Sequence, residues 1–279
     1  MAHRIGVIGG DGIGPEVVAE GLKVIRACGV DVETVDYDLG GARYLRDGTV
    51  LGDEIIEEWR GLDVLYLETP TNPTLKSVDV ERLAARAHAQ GAVVVVDNTF
   101  ATPINQHPLE LGADVVLHSA TKFLGGHADA LGGVLAGRKD VVDAVFAFRE
   151  INGATLHPEA AYLLIRGMKT LELRVKRQNA SALRIARWLR DRPEVAHVHY
   201  PGLEDHPHHD VAARQMPGGF GGVLSFELQG DFAAVEACLP RLRFAHRAAN
   251  LGAVETTVAP PRTGSHVELT EQERASLGI

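Results

Sequence analysis

The sequence predicts an α/β fold built around a parallel sheet, and three features support this. Short apolar runs that suit buried strands alternate with amphipathic segments that suit helices. The run "AVVVVDN" over residues 92–98 is continuously β-branched, which is typical of a strand covered on both faces. From Pro158 onward, long helical material precedes a short strand, strand and helix set, which predicts a smaller C-terminal α/β domain.

The N-terminal elements follow a regular order. Pro15 suits the first turn of a helix that Gly29 ends, and "GDEIIEEW" predicts a second helix. Residues 79–90 predict a third. Right-handed crossovers through these helices would join the strands in a parallel sheet. The predicted strands of this region are "RIGVI", "VDVETVDYDL", "LDVLYLE", "AVVVVDN", "GADVVLHS" and "ALGGVLAG".

After Pro158, "PEAAYLLIRGMKTLELRVKRQNASALRIARWLRDRP" predicts long helical material with a break. The segments "VAHVHYP" and "GGVLSFEL" predict strands, and "FAAVEACL" predicts a helix. In between, "HYPGLEDHPHHD" is rich in histidine, and its composition favours a solvated surface segment over a metal site. Trp59 and Trp188 lie on helical patterns and are expected to pack.

Composition excludes several classes of protein. The 279 residues carry a formal net charge of -9, which argues against a nucleic-acid partner. Cys28 and Cys238 lack metal-ligand spacing, which favours a reducing cytoplasm. We find no apolar segment long enough for a secretory signal or a membrane span. We therefore expect a cytoplasmic protein that acts on a small molecule.

One lysine stands out, in "LHSATKFLGGH" at residues 117–127. Lys122 follows a predicted strand, and Asp97 ends another, so both lie at the sheet edge where open α/β folds bind ligands. An amine and a carboxylate there suit pyridoxal phosphate (PLP), because the lysine forms the Schiff base and the aspartate keeps the pyridine nitrogen protonated. Ser119 and Thr121 offer donors to a phosphate. Taken alone, such a lysine and aspartate are more often a salt bridge, or a lysine with its amine in water, than a cofactor site.

The sequence on both sides of Lys122 and Asp97 favours the cofactor site. "YLETPTNPTLKSVDVERLAARAHAQGAVVVVDNTFATP" and "PLELGADVVLHSATKFLGGHADALGG" resemble the Cys/Met-metabolism family of PLP-dependent enzymes, which includes cystathionine γ-synthase and γ-lyase. The resemblance covers about residues 66–279 and extends through "NGATLHPEAAYLLIRGMKTLELR" and "SHVELTEQERASLGI". It implies a truncated PLP-transferase-like large domain of fold type I and a homo-oligomer, either a dimer or a tetramer.

The resemblance also implies roles for individual residues. Lys122 matches the Schiff-base lysine and Asp97 its pyridinium partner, while Asn72 matches the side chain beside the cofactor's 3-hydroxyl. The implied phosphate contacts are Ser119 and Thr121, and the implied substrate contacts are Glu68 and Asn250. For Glu68 a bracing role in the loop is equally plausible, and at Asn250 the family usually has a serine. Tyr66, at the end of its strand, is expected to pack on the sheet.

Residues 1–65 depart from that family. "RIGVIGGDGIGPEVVAEGLKVIRACG" and "VDYDLGGARYLRDGTVLGDEIIEEW" resemble 3-isopropylmalate dehydrogenases, so the chain looks like a fusion of two partial sequences. The expected organisation is a βαβ segment over 1–65 that completes the sheet, a PLP-binding core over 66–157, and a C-terminal domain over 158–279. The family's phosphate loop and ring-stacking tyrosine find no counterpart in 1–65, and the chain ends before the family's carboxylate-binding arginine.

The resemblance implies γ-elimination or γ-replacement on a sulfur amino acid or an activated homoserine. The missing contacts predict low activity, because each removes a charge-assisted hydrogen bond worth about 1.5–3 kcal/mol. A folded but inactive fusion protein is the first alternative. An NAD-dependent dehydrogenase, carried by residues 1–65 alone, is the less favoured one.

Overall fold

A computed structural model describes residues 3–7, 22–23, 25–26, 31–36 and 63–264. Its main feature is a six-stranded sheet in the order β2-β1-β3-β4-β5-β6. The strands are β1 (His3–Val7), β2 (Val32–Asp36), β3 (Val64–Glu68), β4 (Val93–Asp97), β5 (Val115–Ser119) and β6 (Gly133–Gly137). The first five are parallel, which confirms the predicted α/β class and all six predicted strands.

The sixth strand is an exception to the parallel pattern. β6 pairs antiparallel with β5, with Leu117 opposite Leu135. The connection that follows Ser119 contains turns and no helix, so the chain turns back beside β5 instead of crossing over the sheet. Hydrophobic periodicity carries no information about strand direction, and for this reason the sequence did not reveal the antiparallel strand.

Two helices lie between β3 and β5. Helix α1 (Val80–His88) is capped by Asp79, whose side chain accepts a hydrogen bond from the Arg82 N–H, and a short helix α2 (Thr102–Asn105) follows β4. α1 packs on the sheet face that carries Leu65, Leu67, Val94 and Val96. That face of β4 is fully buried while the other is only partly covered, so the prediction of two covered faces is wrong for one of them.

The long helical region forms as separate pieces. Helix α3 (Lys139–Asn152), which our sequence reading missed, has no buried residue and ends at Gly153 with φ +70°. Helices α4 (Pro158–Met168) and α5 (Leu171–Arg190) confirm the predicted helical material and its break. Trp188 does not pack as expected, because it is 57% exposed and lies under the Arg192 guanidinium.

The C-terminal part contains two small sheets. Strands β7 (Val195–His199) and β8 (Ser225–Leu228) pair antiparallel, and β9 (His246–Arg247) and β10 (Thr257–Val258) pair parallel. Helices α6 (His209–Gln215) and α7 (Phe232–Cys238) accompany them. The strand, strand and helix prediction is therefore confirmed, whereas α6 was not predicted.

Several predictions fall on other parts of the chain. Leu22 and Ile25 are half-buried and helical, with exposed Lys23 and Arg26 beside them, in agreement with the first amphipathic helix. The helix predicted for "GDEIIEEW", Trp59 and the segment 265–279 lie outside the described residues. Within the described ranges, no helix is both long and apolar enough to cross a membrane.

Candidate active site

The ends of three neighbouring strands bring polar side chains to one edge of the sheet. Glu68 on β3 lies opposite Asp97 on β4, and Asp97 lies opposite Leu117 on β5. Ser119 is two residues beyond Leu117, so it shares the same face of the sheet. The parallel register therefore places Glu68, Asp97 and Ser119 in a row at the carboxyl edge of the sheet, where Asp97 was predicted to lie.

A cavity of about 460 Å³ borders this row. Asp97 and Ser119 line it on the sheet side, and apolar residues of α3, together with Arg149, line it on the other. Its volume is within the usual range for small-molecule sites. Among the predicted site residues, only Asp97 and Ser119 reach this cavity in the described part of the chain; Asn72, Thr121 and Lys122 do not line it.

Thr99 connects the two residues that line the cavity. Its N–H donates to Asp97 Oδ1 at 2.9 Å, and its hydroxyl oxygen accepts from the Ser119 N–H at 2.8 Å. These bonds fix the carboxylate and the end of β5 relative to each other. Thr99 was not among the predicted site residues, although an aspartate two positions before it, in "DNT", is typical of a side chain that bonds the backbone N–H two residues on.

Acidic and phenolic groups surround Asp97. Tyr66, which was expected to pack on the sheet, is 37% exposed and also brings its hydroxyl to 3.5 Å from Asp97 Oδ2. Loss of solvation, followed by repulsion from Asp97, raises the pKa of Glu68 above its usual range. Because the Glu68 side chain retains access to solvent, water moderates this shift in pKa.

Lys122 lies in a turn directly after β5, where its N–H donates to the Ser119 carbonyl at 3.1 Å. Its ammonium Nζ donates to Asn250 Oδ1 at 3.2 Å, and in the described ranges it forms no ion pair with a carboxylate. Partial burial lowers the pKa of Lys122. Lys122 therefore forms no salt bridge with Asp97 among the described residues, and a residue 128 positions away supplies the contact of the amine.

The remaining predicted residues, Thr121 and Asn72, lie in two different loops. The Thr121 hydroxyl is 3.4 Å from the Gly132 carbonyl oxygen and accepts from the Gly132 N–H at 3.1 Å. Asn72 is half-buried in the loop 69–79 after β3. The C-terminal part holds this loop, because His208 Nδ1 accepts from the Ser77 N–H at 3.0 Å and Gln215 bonds the main chain where α1 begins.

The histidine-rich segment differs from its predicted state. His206 is only 8% exposed, and Tyr200 and Leu203 beside it are buried, so the solvated reading is wrong. Burial and the neighbouring imidazoles lower the pKa of His206 to about 4. His199 instead pairs with Glu227 at 2.8 Å. In the described part of the chain no three histidine, cysteine or acidic side chains are arranged to hold a metal ion.

Comparison with known proteins places these observations in a family. Residues 54–279 match the model of the Cys/Met metabolism PLP-dependent enzymes. Among curated proteins, the chain is 44% identical over 255 residues to cystathionine gamma-synthase 1 of Nicotiana tabacum, covering 91% of this chain and 47% of that protein. It is 44% identical over 219 residues to L-methionine gamma-lyase of Fusobacterium nucleatum subsp. polymorphum, covering 77% of this chain and 55% of that protein.

The solved structures agree. Cystathionine gamma synthase of Xanthomonas oryzae pv. oryzae, crystallised in complex with cystathionine, superposes with a TM-score of 0.86 at 34% identity. That match covers 100% of this chain and 68% of the other. The tobacco alignment reaches into residues 1–65, which the sequence analysis assigned to a dehydrogenase, and these comparisons lend that assignment no support. The chain spans about half the length of the curated relatives it matches.

Proposed function

Because the chain belongs to the Cys/Met metabolism PLP-dependent enzyme family, we propose that it binds PLP through Lys122 and acts on a small amino acid. The proposed substrates are a sulfur amino acid or an activated homoserine, and the proposed reaction is γ-elimination or γ-replacement. The observation that carries the proposal is the half-buried Lys122 amine, which contacts a neutral amide instead of a carboxylate. A lysine in that setting has a raised neutral fraction, which a nucleophile or base requires.

The polar side chains of the site fit the cofactor in part. PLP, when bound, supplies an electron sink that stabilises negative charge at the substrate α-carbon. The Asp97 carboxylate, oriented by Thr99, would hold a proton at the ring nitrogen. The Ser119 hydroxyl would donate to the phosphate, and the Asn72 amide would lie beside the 3-hydroxyl.

The other polar residues would act on the substrate side of Lys122. The amine of Lys122 would bond the cofactor and later carry a proton to or from the substrate α-carbon. Asn250 Oδ1 already accepts from Nζ, so it would hold the lysine head whenever Lys122 is protonated. Glu68, whose pKa is raised by loss of solvation and by Asp97, would contact the substrate.

A folded protein without productive cofactor binding is the second candidate. Thr121, the other proposed phosphate contact, has its hydroxyl engaged with the main chain of Gly132 on the donor and the acceptor side. This observation favours weak phosphate binding, because Thr121 would have to give up those bonds. Low activity or none is then the expected outcome.

Visible absorption of the purified chain with added PLP tests the first proposal. We expect a visible band that borohydride abolishes, with the reduced cofactor mapped by mass spectrometry to Lys122. Lys122→Ala should lose the band, and the exposed Lys169→Ala should keep it. An identical band in Lys122→Ala, or no band in the natural chain, would favour the second candidate.

Substrate assays with cystathionine, methionine and O-acylhomoserines would then separate the reactions. Release of a keto acid and ammonia indicates elimination, while formation of a new thioether from added cysteine indicates replacement. The relatives named above, a synthase and a lyase, support both reactions. NAD-dependent oxidation of a malate-type substrate would be needed to support the dehydrogenase resemblance of residues 1–65, which rests on the quoted sequence alone.

Assembly, organisation and location are proposals of the same kind. We propose a dimer or tetramer, which light scattering of the purified chain would measure directly. We also keep the division into 1–65, 66–157 and 158–279, where limited proteolysis should cut near the boundaries. A cytoplasmic location stays a prediction from the cysteine content.

A further inference from the structure

Arg174, in the first turn of α5, makes an unusual set of contacts. Its Nη1 donates to the Phe123 carbonyl at 2.8 Å, and its Nη2 donates to the carbonyls of Leu124 at 3.3 Å and Gly167 at 2.9 Å. Its Nε donates to the Thr170 hydroxyl at 3.1 Å. No carboxylate of the described ranges pairs with this half-buried cation. Its two terminal nitrogens therefore donate to three main-chain oxygens, and two of these belong to the residues directly after Lys122.

Glycines surrounding this guanidinium make the arrangement sterically specific. A Cβ at Gly126, where φ is +74°, would lie 2.1 Å from Arg174 Nη1. A Cβ at Gly167 on α4 would lie 2.1 Å from the Gly125 carbonyl oxygen. The "GG" of the lysine segment thus gives space to the arginine, and Gly167 lets α4 approach the same turn. Arg174 bridges both pieces of backbone.

Main-chain hydrogen bonds also hold the turn from within. Inside it, the Gly126 N–H donates to the Lys122 carbonyl at 2.8 Å, and the Gly125 N–H donates to the Ala120 carbonyl at 2.8 Å. On the opposite side, a Cβ at Gly252 would lie 2.8 Å from the Lys122 carbonyl carbon, so the segment 250–252 presses directly on the lysine backbone. Lys122 is held between that segment and the arginine.

We propose that Arg174 is a positioning residue for Lys122: by binding the Phe123 and Leu124 carbonyls it fixes the turn that directs the lysine amine toward Asn250 and the cofactor. The mention of the cofactor rests on the proposed function. The effect of Arg174 on the lysine amine does not depend on it, because that effect can be measured without cofactor. Arg174 acts through Lys122 and has no direct contact with the reacting atoms. Charge-assisted bonds to carbonyls are strong and directional, which suits this role.

The test compares Arg174→Gln with Arg177→Gln, an exposed arginine on the same helix. Reductive methylation with labelled formaldehyde, read by carbon NMR, gives the titration of the Lys122 amine without cofactor. Hydrogen exchange gives the protection of the Gly125 and Gly126 amides. We expect Arg174→Gln to move the Lys122 pKa upward toward its ordinary value and to speed exchange at both amides at least about tenfold. Arg177→Gln should match the natural chain.

An unchanged lysine titration and unchanged exchange in folded Arg174→Gln would overturn the proposal. If that variant does not fold, Arg174→Lys decides in its place, because a single ammonium keeps the charge without bridging three carbonyls. A change in both measurements there supports positioning, and no change refutes it. Absence of a PLP band in the natural chain would overturn the proposed function alone, since neither measurement uses the cofactor.

Discussion

Acidification should destabilise the chain through His206. This imidazole is 8% exposed, its Nδ1 accepts from the His208 N–H at 3.2 Å, and the two rings lie 5.8 Å apart. Its pKa falls from the ordinary 6.5 to about 4, first through burial and then through the charges of neighbouring groups. Those neighbours are His197, His199, His208 and His209, with Lys76 acting on His208 and Glu227 bonded to His199.

The direction and size of this change in the free energy of unfolding follow from proton linkage. Folded His206 stays neutral while the unfolded chain takes up the proton once the pH falls below 6.5, so the free energy of unfolding decreases from there and levels off near pH 4. A change of pKa from 6.5 to about 4 corresponds to about 3 kcal/mol. Above pH 6.5 the group has no effect, because it is neutral in both states.

Urea denaturation at several pH values between 7.5 and 4.5 measures this loss. His206→Gln removes the titration, and its amide oxygen still offers an acceptor near the His208 N–H. Carboxylates also titrate in this range, so the informative quantity is the difference between proteins. The natural chain should lose about 2–3 kcal/mol more than the variant on acidification, and the exposed His246→Gln should behave like the natural chain. Equal losses in the natural chain and His206→Gln would refute the reasoning.

Three further substitutions test packing around the site. Gln215→Leu removes two hydrogen bonds to the main chain where α1 begins, and should cost about 2–3 kcal/mol of stability in urea denaturation. Gly252→Ala should weaken PLP binding and cost more stability than Gly91→Ala: both have positive φ, but only the Gly252 Cβ would strike the Lys122 backbone. Tyr200→Phe loses the hydrogen bond to the Gly221 carbonyl and should lower thermal stability by about 1 kcal/mol. For each of the three substitutions, unchanged stability would contradict the contact that it removes or disturbs.

The parallel sheet could be predicted from the sequence because its signal is local. Apolar runs such as that of β4 end in a polar residue, and five parallel strands bring those ends to one edge whatever the exact crossover. The position of Asp97 at that edge was therefore predicted, whereas Glu68 was assigned to a loop and instead ends β3. The direction of β6 was missed because apolar periodicity does not encode strand direction, whereas α3 was overlooked although its apolar spacing and Gly153 are helix signals. No residue of α3 is buried, so its apolar side chains are not covered by the rest of the described chain.

The orientation of the reactive amine depends instead on contacts between distant parts of the chain. Asn250 is 128 residues from Lys122, and His208 is 131 residues from the loop amide of Ser77 that it holds. Residue patterns along one segment contain no record of such partners, which is why the histidine segment was misread as solvated and Arg174 was overlooked. Because the C-terminal part supplies these contacts, substitutions there should alter the conformation of the lysine turn or of the loop that contains Asn72. They should leave the carboxyl ends of the sheet strands unchanged. Protonation of His206 and substitution of Arg174 should therefore have different effects. The first should lower the free energy of unfolding of the whole chain. The second should alter the titration of Lys122 while the chain stays folded.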